Sequence, residues 1–295
     1  MPTPISSPVY TLGDGWMGNV RDDHGVEWVV ESEEGWSSSP PVRAIVEEKA
    51  NGDGAWSGPG LYGPRVITLS GRALAPNRYA MLAAKDRLKA AIGVRQPETL
   101  IVEEAHLTRY AMVRLADRID IADFGAHAFA WSLTVVAADP RRYGVDVLTG
   151  SAELPVDVAV GRTYSKTYDY IYEATPPGTS GSVWLFNAGD FDRTPAVITF
   201  LGPVISPRVE HAALGRHLQF DMTVEWGQTL VVDLGAQTAM LNGTSSRIYT
   251  ISPGSAWFML TPGWNELLFR GTAGSAPPGE DPKPLMVVTA APAWT

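Results

Sequence analysis

From Ala128 to Val136 the chain alternates in a two-residue period. Phe129, Trp131, Leu133 and Val135 fall on one side of an extended strand, and Ala128, Ala130, Ser132 and Thr134 on the other. One face is bulky and one small, which suits a strand held between a core and a close neighbour. Asp139-Pro140 stops it, because proline cannot continue the ladder. Shorter strand candidates are Val26 to Val30, Val42 to Glu48, Arg65 to Ser70, Thr99 to Val102 and Arg109 to Leu115. In Arg65 to Ser70, Val66 and Thr68 share one side and Ile67 and Leu69 the other. Only Asn77 to Ile92 shows a helical period. Met81, Leu82, Ala84, Leu88, Ala91 and Ile92 form its apolar stripe, and Arg78, Lys85, Asp86, Arg87 and Lys89 its wet face. Pro76-Asn77 marks the start and Gly93 the stop. Asn51 to Gly60 is so rich in glycine that a long loop or a wide hairpin tip is expected there, without regular structure.

The second half reads as strands alone. Candidates are Val183 to Phe186, Ala196 to Leu201, His217 to Val224, Thr229 to Asp233, Thr238 to Leu241, Ser255 to Leu260, Glu266 to Arg270 and Leu285 to Thr289. Turn pairs such as Gly202-Pro203, Asn242-Gly243, Pro253-Gly254 and Pro262-Gly263 separate them, and Gly271 to Pro284 reads as a loop before the last strand. Many short strands at this spacing predict a β-sandwich. The expected fold class is therefore mainly β, with an α+β first domain over residues 1–148 and a sandwich over 149–295, the change falling near Gly144 to Pro155.

Composition narrows the function. The 295 residues, 45% of them hydrophobic, suffice for two cores. With 23 basic and 32 acidic residues the net charge is −9, which disfavours gripping nucleic acid or an anionic membrane through phosphates. There is no cysteine, so disulfides, thiolate metal sites and cysteine nucleophiles are excluded. Met1 to Pro8 shows neither a basic nor an apolar signal region, and no apolar run approaches the ~20 residues of a membrane helix. A soluble product made in the cytosol is expected.

Several stretches resemble a known family. Gly63-Pro64-Arg65-Val66-Ile67-Thr68-Leu69-Ser70-Gly71, the Asn77 to Ile92 helix, Arg109 to Leu115 and Ala137-Ala138-Asp139-Pro140-Arg141-Arg142-Tyr143 are similar to the N-terminal domain of siphophage distal tail (Dit) proteins. Thr199-Phe200-Leu201-Gly202-Pro203, Leu230-Val231-Val232-Asp233, Leu241-Asn242-Gly243, Ser255-Ala256-Trp257-Phe258 and Leu260-Thr261-Pro262-Gly263-Trp264-Asn265 resemble the galectin-like sandwich that follows it. The style is closest to the minor tail proteins of actinobacteriophages. The resemblance implies a homohexameric ring at the distal end of a virion tail, assembled in the host cytoplasm. It implies contacts with the major tail (tube) protein, the tape measure protein and the tail-associated hub protein. It does not imply catalysis, and with the charge and hydropathy above the expectation is no enzyme, no cofactor, no specific nucleic acid binding and no membrane insertion.

Candidate residues follow from that picture. Asp53, Trp56, Tyr62 and Arg65 are expected at an oligomer or tube contact, with the aromatics as anchors; the alternative is a loop folded back on its own domain. Asp14, Asp22, Asp23, Glu31, Glu33, Glu34, Glu47, Glu48 and Asp53 crowd the first part of the chain. Glu33, Glu34, Glu47 and Glu48 are candidates for a negative channel wall that DNA slides past; the alternative is an ordinary solvated surface. His24 beside Asp22 and Asp23, and His106 near Glu103 and Glu104, lack the spacing of metal ligands. No nucleophile elbow or P-loop is present. Trp184, Trp226 and Trp264 are candidates for a glycan platform, against a reading in which Trp226 and Trp264 cap turns and Trp257 is core. A host cell-wall glycan-binding module is thus the alternative function, and a wall hydrolase built on two unplaced carboxylates a third.

Overall fold

The computed structural model describes residues 7–155 and 180–295, apart from Asp14 and Ile45. Asp14 and Met1 to Ser6, which entered the reading of charge and signal above, lie outside the described residues. The chain divides into two compact units, Met1–Val145 with Trp294–Thr295, and Asp146–Ala293. Both are built of strands, with a single α-helix among the described residues, so the mainly β class holds.

In the first unit the strands are β1 (Val9–Leu12), β2 (Trp16–Gly18), β3 (Glu27–Glu34), β4 (Val42–Arg43), β5 (Val46–Glu48), β6 (Ala55–Ser57), β7 (Leu61–Tyr62) and β8 (Arg65–Leu74). After helix α1 (Arg78–Ala90) come β9 (Glu98–Glu103), β10 (Thr108–Leu115), β11 (Asp120–Phe124), β12 (Ala128–Ala137) and β13 (Arg142–Gly144). The main sheet runs β2-β1-β9-β10-β12-β8-β3, with β11 on β12 and β13 on β10. Its long spine is the β8–β12 pair, in register from Arg65↔Ala137 to Leu74↔Ala128. The alternation in β12 sends Phe129, Trp131, Leu133 and Val135 into the core, as expected. There Trp16 meets Trp131 edge-on at 5.1 Å, and Trp28 meets Phe129 at 5.7 Å. Strand β8 runs past its expected end at Ser70 because Gly71 lies under the irregular step of β3 between Val30 and Ser32. A side chain at Gly71 would stand 1.9 Å from the Val29 carbonyl oxygen.

Asn77 caps α1, its side chain accepting from the Ala80 N–H at 2.8 Å, while Arg87 and Lys89 sit in the last turn, where cations complement the helix dipole. Met81, Ala84 and Leu88 are buried, but Leu82 is exposed. At about 100° per residue it stands off the side of the stripe centred on Met81 and Leu88. Asp22 ties the helix to the sheet. Its carboxylate accepts from Val26 N–H (2.8 Å), the Trp28 indole (3.1 Å) and Arg87 Nη2 (2.7 Å). Burial alone raises the pKa of Asp22, but these donors outweigh it and hold the carboxyl below its ordinary range.

The second unit comprises β14 (Leu148–Glu153), β15 (Ser182–Asn187), β16 (Ala196–Leu201), β17 (Val204–His211), β18 (Arg216–Gln219), β19 (Thr223–Val224), β20 (Thr229–Asp233), β21 (Thr238–Leu241), β22 (Ser245–Ser246), β23 (Gly263–Ala273) and β24 (Leu285–Ala290). One sheet is β14-β24-β16-β20-β21-β22, the other β15-β23-β17-β18 with β19 also on β17. Their inner faces share one core, in which Phe200 packs against Phe269 (5.6 Å) and Phe220 (6.4 Å). The expected strand His217 to Val224 is broken into β18 and β19 opposite the irregular stretch of β17 around Pro207, where the Phe220 N–H still reaches the Pro207 carbonyl at 3.0 Å. Ser255 to Leu260 is not a strand; only Leu260 pairs, with Thr194. Strand β17 was hidden by Pro207, which the fold accommodates at a register shift between Ile205 and Arg208.

Buried polar side chains in this unit satisfy one another. Leu214 N–H donates to His211 Nδ1 at 3.4 Å, so His211 Nε2 carries its proton to Asn265 Oδ1 at 2.9 Å. Asn265 also takes the Thr261 N–H (2.9 Å) and donates to the Thr261 and Gly263 carbonyls (2.8 and 2.9 Å). All of this lies beneath the outer face of β23.

Two predictions follow. Asn265→Ala leaves His211 Nε2 and the Thr261 N–H without their acceptor in a dry core and destabilises the second unit by about 2–4 kcal/mol in chemical denaturation. Asp22→Asn destabilises the first unit by about 1–2 kcal/mol at neutral pH. The folded-state pKa of Asp22 is depressed, so its contribution is present above the unfolded carboxylate pKa of about 3.9 and fades as the pH falls through the folded value. The two proteins therefore converge in acid, as denaturation at a series of pH values will register.

Candidate interaction surfaces

Residues 42–62 form an arm. Strand β4 pairs β7 (Val42↔Tyr62, Arg43↔Leu61), and β5 pairs β6 (Val46↔Ser57, Glu47↔Trp56, Glu48↔Ala55). The expectation of no regular structure from Asn51 to Gly60 is corrected at Ala55–Ser57, which finds a partner strand in β5; the glycines are confined to the turns. Along this hairpin Val42, Val46, Trp56, Leu61 and Tyr62 are all exposed, Trp56 at 70%. Asp53 is exposed at the tip, and Lys49 Nζ stands 5.4 Å from the centre of the Trp56 ring. A two-stranded hairpin with no packed face is marginal in water, and a run of exposed apolar side chains marks an interaction surface.

Arg65 is not on that surface. It is 1% exposed, and the expectation that it makes an external contact is withdrawn. Its Nε donates to the Pro140 carbonyl at 3.0 Å, and Nη1 reaches the carbonyls of Gly35 (2.6 Å), Trp36 (3.0 Å) and Ser38 (2.5 Å). Buried Arg142 adds a bond from Nη1 to the same Trp36 carbonyl at 2.8 Å, another to the Thr295 carbonyl, and lays its guanidinium over the Trp36 ring. The chain enters the arm directly after this clamped turn and leaves it directly before Arg65. Gly63 N–H closes the root on the Pro41 carbonyl at 2.7 Å. The period of two places Arg65 on the side of Ile67 and Leu69, but its charge and its place beside Gly63-Pro64 favour an exposed reading.

The four glutamates divide. Glu33 caps the turn at the root, accepting from Trp36 N–H (2.7 Å), Ser37 N–H (3.1 Å) and Ser37 Oγ (2.6 Å). Glu34 is exposed at the end of β3, and Glu47 and Glu48 are exposed on the arm. His24 donates its backbone N–H to Asp22, and among the described residues no group of acidic and histidine side chains is arranged to hold a metal ion.

The three candidate tryptophans also divide. Trp184 on β15 and Trp264 on β23 share the outer face of one sheet, their rings 6.4 Å apart. Phe186, which sequence reasoning missed, stands 5.2 Å from Trp264. The signal was present: Trp184 and Phe186 alternate with buried Val183, Leu185 and Asn187. Trp226 is elsewhere, in the turn after β19, where with Gly202, Gly227, Gly279, Glu280, Asp281 and Lys283 it lines an open cavity of about 500 Å³. Trp257 is partly buried against the core.

Fold and surfaces define a mainly β protein with an exported arm in one unit and a sandwich in the other, and comparison with known proteins agrees. Residues 188–277 match the family described as "Siphovirus-type tail component, C-terminal domain". The fold is that of the SPP1 Dit protein, described as a paradigm of the hub adsorption apparatus in Gram-positive infecting phages. That match has a TM-score of 0.63 at 13% identity, over 96% of this chain and 98% of that one. A chain of the phage P2 baseplate in its activated conformation with Ca matches at a TM-score of 0.52 and 12% identity, over 97% of this chain and 98% of that one. No curated protein matches the sequence. Residues 188–277 thus resemble the C-terminal domain of siphovirus-type tail components, and the chain as a whole shares the fold of SPP1 Dit, in the direction the sequence resemblance indicated.

Arg65→Ala takes the guanidinium donors from the Gly35, Ser38 and Pro140 carbonyls, leaves Trp36 to Arg142 alone, and detaches the root of the arm. It is expected to destabilise the first unit by about 3 kcal/mol or more, while the second unit is unaffected. Arg65→Lys recovers only part of this, because an ammonium lacks the planar fork. Denaturation followed by hydrogen exchange distinguishes the units.

Proposed function

We propose that the protein is a structural adaptor at the distal end of a siphovirus tail. Copies close side to side into a ring, six by analogy, that joins the tail tube to the tip or baseplate hub and leaves a channel for DNA. The observation that carries this reading is the likeness of the whole chain, both units in order, to SPP1 Dit, a hub protein, with a family match inside the second unit. Its partners are further copies of itself, the major tail protein, the hub protein and the tape measure protein. It works in the virion after assembly in the host cytoplasm, by geometry rather than by catalysis.

The ring-forming unit is the first one, over residues 1–148 as read from the sequence, and the arm is its fastening. The arm presents Val46, Trp56 and Tyr62, with Asp53 at its tip, to the next copy or to the tube. Such a contact joins two different patches and closes only when the rotation between copies completes a circle. Glu34, Glu47 and Glu48 are exposed and suit a negative wall that repels DNA phosphates.

Purified protein, alone and mixed with the tube protein, tests this by light scattering and electron microscopy. Rings with a central hole are expected, and their absence from the tip of intact tails would sink the reading. Trp56→Ala is expected to weaken ring assembly about 10- to 100-fold without changing the stability of the first unit, as truncating an interface anchor does.

A further inference from the structure

We propose that the outer face of β15 and β23 is a binding site for a β-linked pyranose saccharide. Trp184, Phe186 and Trp264 are its stacking rings and Glu266 is its hydroxyl acceptor. The inference goes beyond the adaptor reading and does not depend on it.

The site follows from strand geometry. On β15 and β23 the inward residues Val183, Leu185, Asn187, Asn265 and Leu267 are buried, so Trp184, Phe186, Trp264 and Glu266 project outward together. Register sets Phe186 opposite Trp264 and Trp184 opposite Glu266. A sandwich strand ordinarily turns polar side chains to water, yet Trp184, Phe186 and Trp264 are 56%, 49% and 64% exposed. The buried Asn265–His211 pair fixes β23 from below, so the rings stand on a rigid base.

Size and shape choose the occupant. The exposed aromatic surface is roughly 400 Å² in all. A stable protein interface takes about 800 Å² from each partner, so the patch is small for a protein and suits one or two sugar rings. Nor is it a flat pad: the Trp264 ring is inclined 57° to Phe186 and 73° to Trp184, which forms a notch. A β-linked pyranose offers apolar axial C–H groups on its faces and hydroxyls around its rim. It therefore needs aromatic faces and hydrogen-bond acceptors side by side.

Glu266 supplies such an acceptor, since no side chain among the described residues bonds or pairs with its carboxylate. Further along the same outer face, His217 lies opposite Glu210, which pairs with Arg208 at 2.9 Å, so polar groups continue beyond the rings. The chain's charge of −9 disfavours a nucleic acid stacking its bases here.

Isothermal titration calorimetry on the full-length protein with cellotetraose, chitotetraose and β-1,4-galactotetraose tests the site. Saturable binding of at least one is expected. Trp264→Ala should weaken it at least about tenfold, the usual worth of one stacked ring. Glu266→Gln should weaken it several-fold with an unchanged circular dichroism spectrum, which keeps the test valid should Trp264→Ala misfold. Trp226→Ala should bind as the wild type does. The proposal is overturned if none of the three saccharides binds saturably, or if binding survives the Trp184→Ala/Trp264→Ala double change. It is equally overturned if the three rings are covered by another protein in the assembled tail tip. Ring formation by these variants separates failure here from failure of the adaptor reading.

Discussion

Backbone carbonyls that turn away from a sheet inside a core must find donors, and at Gly35 to Ser38 two arginines provide them. Arg65 and Arg142 converge on this turn with five bonds or close approaches to its carbonyls and to Pro140. Burying a guanidinium is costly unless its N–H groups are used, and here they are spent on oxygens that would otherwise be stranded. The turn also excludes bulk: a side chain at Gly35 would come within 1.9 Å of the Val66 carbonyl oxygen. Because the arm departs directly beyond Ser38 and returns directly before Arg65, this clamp governs the direction in which the hairpin is held out. A hairpin that is marginal alone becomes a usable fastening only when its root is rigid, since a loose arm loses more entropy on docking.

Elements whose signal is local were legible in the sequence. The α1 helix and β12 carry their period and their stop signals within themselves, and the strands at Ala196, Thr229 and Thr238 coincide with their expected limits. What escaped depended on partners distant in sequence. Pro207 argues against a strand until the bulge that absorbs it is known. Gly71 argues for a stop until the irregular step of β3 is seen paired close beside it. The run from His217 to Val224 keeps its alternation through Leu218 and Phe220 but is split opposite the same irregular stretch of β17. In each case tertiary packing overrode a preference that was sound locally.

The surfaces were legible to the same extent and for the same reason. Trp56 and Tyr62 announced themselves as aromatics in a stretch with nothing to bury them. Arg65, four residues from Leu61, had the same neighbourhood in sequence but faces inward, because β8 begins there with its odd-numbered side chains toward the core. Residue type identified three tryptophans, but only pairing could put Trp184 beside Trp264, add Phe186 and leave Trp226 on a separate turn.

The two units expose apolar surface in different ways, and the difference bears on what each can recognise. On the arm, Trp56 belongs to a pair of strands that no sheet backs, so its energy is gained by an object large enough to cover both strands, such as another protein subunit. On the sandwich, Trp184, Phe186 and Trp264 already stand on a closed core with a satisfied hydrogen-bond network beneath them. They lose little freedom when a ligand arrives, and a small ligand suffices. On the proposed reading ring closure uses the first kind of surface, and the second, on a face that alternation would otherwise make polar, serves the proposed partner of smaller size.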